Sequence, residues 1–200
     1  MNFDLIVVAL GNPGSKYAFT RHNVAWIAVD LLAQEKAVSF STQGIGKKIQ
    51  AEVCEMSIDS KKVLLLKPQT FMNLSGESLA KLFAQNSHLR DLPLLCIHDE
   101  IDLPLGKVRI KLGGSDAGHN GLRSLREHLG HGDYYRIRVG VGRPPAGSPL
   151  KVVDWVLQNF EKSDEELLHR GLEKTLSVLE SFSRDGFDKA VVEASRENKK

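Results

Sequence analysis

Four side chains capable of chemistry crowd the segment Gly11–Asn23, G-N-P-G-S-K-Y-A-F-T-R-H-N: Asn12, Tyr17, His22 and Asn23. A plain connection needs only a glycine and a cap, so this density of polar groups marks a site. With Thr20 as helix cap, His22 lies in the first turn. The positive end of the helix dipole there disfavours imidazolium, so a neutral ring near pH 7 is expected, the form a general base must take. A carboxylate on one ring nitrogen would fix its tautomer and raise its basicity. The segment His98-Asp-Glu-Ile-Asp-Leu-Pro104 offers Asp99 or Asp102 for this, and the residue types do not choose between them. His98, Asp99 and Asp102 are also metal-ligand types. Consecutive strand residues point to opposite faces, however, which argues against a shared ion.

Two further loops add donors. Pro68–Gly76, P-Q-T-F-M-N-L-S-G, places the Asn73 amide where it could meet a carbonyl or an oxyanion, with Met72 as an adaptable apolar floor. Lys111–Gly121, K-L-G-G-S-D-A-G-H-N-G, is a glycine-rich approach to a helix, a geometry that turns backbone N–H groups toward an anion. It matches neither the P-loop nor the dinucleotide fingerprint. His119 and Asn120 stand at that helix start. Lys111, Arg136 and Arg138 fall on strands, the two arginines on one face, and could meet backbone phosphates. No G-x-S-x-G elbow is present, and neither Cys54 nor Cys96 has a motif histidine beside it. Water activated by His22 is therefore favoured over a covalent nucleophile.

These groups need strands and helices to hold them. Residues 4–10 and 92–98 read as buried strands; 48–56, 62–67, 107–112 and 134–142 read as further strands. Thr20 and Ser75 are placed to cap helices, and His119–Leu129 reads as a helix closed by Gly130. Ser148-Pro149 reads as a cap followed by N1, and Ser163–Glu166 as a capping box before a helix to about Phe182. A last helix spans about Gly186 to Ser195. Buried runs mixed with alternating ones predict an α/β fold. Its mixed, mostly parallel sheet carries helices on both faces, in one domain over residues 1–200. The Gly11–Asn23 turn then follows the first strand, where open α/β sheets carry ligand sites.

Bulk properties narrow the class. The hydrophobic share of 42% and charged share of 26% suit a soluble globular domain. Two distant cysteines fit buried thiols in a reducing compartment. No apolar run reaches ~18 residues, so no membrane span is expected. The opening M-N-F-D-L-I-V-V enters a strand at once, without a signal or transit pattern, which leads to a cytoplasmic expectation. The net charge of +2 conceals an uneven distribution. Lys107–Arg143 holds eight basic and three acidic residues, and Asp154–Asp185 holds eight acidic and four basic. The basic stretch could be a phosphate footprint.

Together the motifs G-N-P-G-x-x-Y-x-x-T-R-H-N, F-M-N-x-S-G, H-D-E-x-D-L-P-x-G and G-H-N-G-L resemble bacterial peptidyl-tRNA hydrolases over about residues 4–160. The resemblance implies hydrolysis of the ester joining a peptide to the 3′ ribose of tRNA, without metal or cofactor, by a monomer. It implies that His22 is the base and Asp99 its partner. Asn12, Met72, Asn73 and Asn120 would hold the peptide and the reacting ester, with Tyr17 near the substrate's 3′ end. Lys111, His119 and Arg138 would meet the tRNA, and Arg136, sharing a strand face with Arg138, joins them on the residue reading. Two positions depart from the pattern. Asp116 lies in a loop where relatives are often richer in glycine and is expected to repel phosphate, and Ala25 replaces a common glycine. The alternative is a non-catalytic RNA-binding module on the same scaffold, as in splicing factors of plant organelles. Retention of His22, Asp99, Asn12, Asn73 and Asn120 favours the enzyme.

Overall fold

The computed structural model describes residues 2–196. Six strands form one sheet: β1 (Leu5–Ala9), β2 (Ala51–Ile58), β3 (Lys61–Pro68), β4 (Leu94–Glu100), β5 (Val108–Leu112) and β6 (Tyr135–Gly140), ordered β2-β3-β1-β4-β6-β5. The inner strands β3, β1, β4 and β6 run parallel, while β2 and β5 pair antiparallel at the two edges. The sequence explains this division. L-I-V-V-A in β1 and L-L-C-I-H-D-E in β4 are buried at every position, as strands covered on both faces must be. β5 alternates buried Val108 and Ile110 with less buried Arg109 and Lys111, as suits an edge.

Seven α-helices cover the sheet among the described residues. They are α1 (Val24–Glu35), α2 (Ile45–Ile49), α3 (Ser75–Gln85), α4 (Asn120–Leu129), α5 (Val152–Val156), α6 (Glu165–Asp185) and α7 (Phe187–Ser195). Strand alternation splits the core in two. Val7, Leu65, Ile97 and Ile137 face α1, α6 and α7, meeting Ala28, Leu32, Leu176, Leu179 and Ala190. Ile6, Val8, Leu64, Leu66 and Cys96 face α3 and α4, meeting Leu79, Leu82, Leu122 and Leu125. Burying each large aliphatic side chain contributes roughly 1.5–3 kcal/mol, so both layers hold the sheet firmly. No helix among the described residues is long and apolar enough to cross a membrane.

Several local expectations need correction. Residues 48–50 are not strand. Ile45–Ile49 form the short helix α2, which buries Gly46 and Ile49, and left-handed Gln50 ends it before β2 begins. Ser148-Pro149 starts no helix. The Ser148 hydroxyl accepts from the Leu150 N–H at 3.2 Å, and α5 begins three residues after Pro149. The capping box before α6 uses Glu161 and Asp164 rather than Ser163 and Glu166. Thr20 and Ser75 cap nothing. Their hydroxyls donate back to the carbonyls of Tyr17 and Met72, and single 3-10 turns, Arg21–Asn23 and Met72–Leu74, precede α1 and α3. Gly130 closes α4 in the left-handed conformation, as the sequence predicts.

β1 lies between β3 and β4, so successive connections leave it toward opposite edges of the sheet. The carboxyl ends of β1 and β4 therefore border the crevice where such sheets take ligands. The Gly11–Asn23 turn follows one of these strands, and Asp99 lies at the end of the other.

Candidate active site

Asn12 and Asn23 lock the turn after β1. The Asn12 N–H donates to Asn23 Oδ1 at 2.9 Å, and Asn23 Nδ2 returns a bond to the Asn12 carbonyl at 3.0 Å. Asn12 Oδ1 in turn accepts the Met72 N–H at 2.8 Å, which ties this turn to the loop after β3. That bond fixes the amide orientation and leaves Asn12 Nδ2 as a donor. Gly11 is required here because a Cβ would stand 2.6 Å from the Trp26 ring, whose Nε1 donates to the Ala9 carbonyl.

Held this way, His22 is 9% exposed and its Nδ1 lies 2.8 Å from Asp99 Oδ1. Asp99, 3% exposed, thus resolves the choice between two aspartates, because Asp102 instead pairs with Arg143 at 2.6 Å on the surface. Asp99 Oδ1 also meets His119 Nε2 at 2.9 Å. His119 Nδ1 accepts the Gly121 N–H at 3.1 Å and serves as the side-chain cap of α4. His119 Nε2 must therefore carry its proton and donate to Asp99. His22 donates through Nδ1, which leaves its Nε2 lone pair free.

Electrostatics agree with this proton arrangement. Burial alone would lower the pKa of His22, but the charge and hydrogen bond of Asp99 outweigh it, and the net direction is upward. The direction is opposite to the depression expected from a helix terminus, and its cause is the carboxylate in contact. Burial alone would raise the pKa of Asp99, yet His22 and His119 together hold it well below the carboxylate range. His98, one residue away, goes the other way. Complete burial and the neighbouring His119 push it down to about 3, so it stays neutral, with Nδ1 donating to the Asp99 carbonyl.

His22, Asp99 and His119 bring ligand-type atoms within 4.8 Å of one another. With His119 Nδ1 accepting the Gly121 N–H, His119 Nε2 is committed to Asp99, and an ion held there would break that bond and disturb the α4 cap. The other set weighed from sequence, His98, Asp99 and Asp102, is dispersed by the contacts above.

A cavity of about 320 Å³ adjoins the pair. Its lining includes His22, Asp99, His119, Asn120, Lys111, Arg138 and Glu100, with Val152, Val153 and Val156 of α5 as an apolar wall. Met72 reaches the same region, since Gly121 packs so closely that a Cβ there would fall 2.5 Å from Met72 Sδ. Asn73 is exposed beside Met72, and half-buried Tyr17 carries Lys16 Nζ 4.7 Å from its ring centre; neither lines this cavity.

The basic groups divide. Arg138 borders the cavity, with Nε donating to Glu100 at 2.9 Å. Lys111 lies beside it, its pKa lowered by burial and by the charges of Arg138 and Arg136. Arg136 must be removed from the phosphate-facing set. It is 1% exposed, and its guanidinium donates to the carbonyls of Ser115, Gly114 and Gly132 at 2.7, 2.8 and 3.2 Å. The cation therefore braces the glycine-rich loop from beneath, out of reach of a phosphate. Asp116 in that loop is paired with Arg126 and accepts the Gly118 N–H at 3.0 Å, so its charge is compensated.

Sequence reading missed three things here: the turn of His119 toward Asp99, the Glu100–Arg138 pair, and buried Arg21. The Arg21 guanidinium lies 3.8 Å from the Trp155 ring centre. Each is a contact across the fold, for which local pattern carries no signal. The cap position of His119 was the nearest hint.

Comparison with known proteins agrees with this geometry. The family model for peptidyl-tRNA hydrolase matches residues 6–200. Peptidyl-tRNA hydrolase of Geotalea daltonii is 43% identical over 190 residues, covering 93% of each chain. That of Rhodospirillum centenum is 48% identical over 166 residues, covering 82% of this chain and 68% of its own. The crystal structure of peptidyl-tRNA hydrolase from Acinetobacter baumannii superposes with a TM-score of 0.83 at 30% identity, covering 97% of this chain and 96% of that one. With the histidine–aspartate pair, the asparagine-locked turn and the sheet all in place, the chain belongs to the peptidyl-tRNA hydrolase family.

Proposed function

We propose that the protein hydrolyses the ester between a peptide and the 3′ ribose of tRNA, with His22 as general base. The observation that carries this is the 2.8 Å His22 Nδ1–Asp99 contact, which leaves Nε2 as a lone pair beside a cavity. Water gives a proton to His22 Nε2 while its oxygen bonds to the ester carbonyl carbon. The oxyanion so formed takes hydrogen bonds from amide donors, for which Asn12 Nδ2 and Asn73 are the candidates. The intermediate then breaks its bond to the ribose 3′ oxygen, which takes the proton back from His22. Asp99 stays ionised and holds the imidazolium between the two transfers. Asn120, on the cavity wall, holds water or peptide. Met72 floors the reacting region, and Tyr17 stands toward the 3′ end of the substrate.

Lys111 and Arg138 meet tRNA phosphates, and His119 supports Asp99 from the tRNA side. The step moves protons and exchanges acyl oxygens, so it calls for no redox cofactor. EDTA is expected to leave the rate unchanged. The reading includes a monomer acting in the cytoplasm; elution at the mass of one chain checks the first point.

The test is release of an N-blocked amino acid from labelled tRNA. General-base catalysis is typically worth ~10²–10⁴-fold, so His22→Ala should lose at least about 10²-fold in turnover while tRNA binding survives. Near-normal turnover in that variant would refute the assignment. No release by the wild type would instead favour a binding module.

A further inference from the structure

Arg21 directly precedes the proposed base, is 2% exposed, and pairs with Asn159 and Asp164 rather than with Asp99, the carboxylate that His22 uses. Its guanidinium lies 3.8 Å from the Trp155 ring centre and 5.3 Å from that of Phe160. It donates to the Asn159 carbonyl at 2.6 Å and to Asp164 Oδ2 at 2.9 Å. The backbone follows the same path. The Arg21 N–H donates to the Gln158 carbonyl at 3.0 Å, and Thr20 and Asn159 form a β-bridge. Trp155 carries the connection onward, its Nε1 donating to the Gly142 carbonyl at 2.8 Å just past β6.

Trp155 belongs to α5, a helix of five residues. A helix so short has no stability of its own and must be held by tertiary contacts. Yet α5 supplies the apolar wall of the cavity, with Val152 39% and Val153 55% exposed. A planar guanidinium that stacks and donates in several directions at once suits such a joint, and an ammonium does not. The charge that raises the pKa of His22 is that of Asp99.

We infer that Arg21 is a positioning residue that fixes the α5 wall of the cavity lined by His22, by clamping Trp155, and so sets how the substrate seats there. This rests on the hydrolase reading above. The wall touches ground state and transition state alike, so its release is read chiefly in KM.

The experiment measures hydrolysis of N-blocked aminoacyl-tRNA by wild type, Arg21→Lys and Trp155→Phe. It also follows acrylamide quenching of Trp155 fluorescence in a Trp26→Phe background, since the chain has only two tryptophans. Arg21→Lys should raise KM on the order of tenfold, the signature of lost uniform binding. Its kcat should change far less, the acid limb of its pH profile should not move, and Trp155 should become more quenchable. Trp155→Phe keeps a stacking ring but loses the bond to Gly142, so it should show a smaller KM rise. It also provides the test if Arg21→Lys does not fold. An unchanged KM in a folded variant overturns the inference. So does a shifted acid limb at unchanged KM, which would make Arg21 an electrostatic tuner. Quenching reads the wall without turnover. Inactive wild type would count against the hydrolase reading, while unchanged quenching in Arg21→Lys would still count against the clamp.

Discussion

Two glycine-bearing loops each join a strand to a helix beside the cavity, and they are held by different forces. Around Asn12 the turn Gly11–Asn23 is held by neutral amide bonds, Asn12 with Asn23 and Asn12 with the Met72 N–H, with the Arg21–Asp164 pair fixing its far end. The loop of residues 113–118 is fixed by charge. Arg136 braces its carbonyls from below, and Asp116 pairs with Arg126. The first is buried around Asn12, His22 and Asn23; the second is largely exposed, with Gly113, Gly114, Ala117 and Gly118 all at positive φ. Salt screens exposed charges and hardly touches a buried amide bond. The atoms that must stay in line for a proton transfer thus depend on bonds that ionic strength leaves alone. In the glycine-rich loop the buried Arg136 brace is equally sheltered, and only the exposed Asp116–Arg126 pair is open to screening.

The contrast is open to experiment, from the largest expected effect downward. Asp99→Asn should cost turnover about 10²-fold or more, because it removes the group that orients and stabilises the base. The sign of its pH effect also follows. His22 works as the neutral ring, so kcat/KM rises with pH through a pKa lying above 6.5. Without the Asp99 charge only burial remains, and the acid limb should move to lower pH; an unmoved limb in the pH–rate profile would contradict the pairing.

Asn12→Ala strands the buried Met72 N–H, a loss of roughly 1–3 kcal/mol in urea unfolding. Activity should fall at every salt concentration alike. A loss that salt reverses would erase the distinction between the loops.

Lys111→Ala and Arg138→Ala should each weaken tRNA binding and flatten the slope of log Kd against log salt by about one. Turnover at saturation should remain near wild type. If the slopes stay put, the phosphates lie elsewhere.

Asp116→Asn should matter least. Its charge is already met by Arg126, and exposed pairs are worth ~0–1 kcal/mol, so tRNA affinity should rise by no more than a few-fold. A large gain would mean that the carboxylate acts as an uncompensated charge.

Much of the frame was legible because it is local. Continuous apolar runs announced β1 and β4, and the α4 stop at Gly130 followed from glycine's access to the left-handed region. The end of the short helix α2 was read as strand because Ile49, Ala51 and Val53 fit an alternating pattern. At the site, residue types located the cluster but left Asp99 and Asp102 open; the resemblance pointed to Asp99, and in geometry it is the 2.8 Å contact with His22 that separates the two. The sharpest error was Arg136. Its strand register was right, yet an arginine on an inner strand can be buried when a loop folds its carbonyls over it, which no spacing rule foresees.

The edge strand β5 has one more consequence. An uncovered strand edge presents unpaired N–H and C=O groups and invites another sheet to continue it. β5 is only five residues long, and Arg109 and Lys111 alternate with its buried Val108 and Ile110. Two copies brought edge to edge would face cation against cation before any ladder could form. The charge that would welcome a polyanion thus also opposes edge-to-edge pairing of two copies through β5.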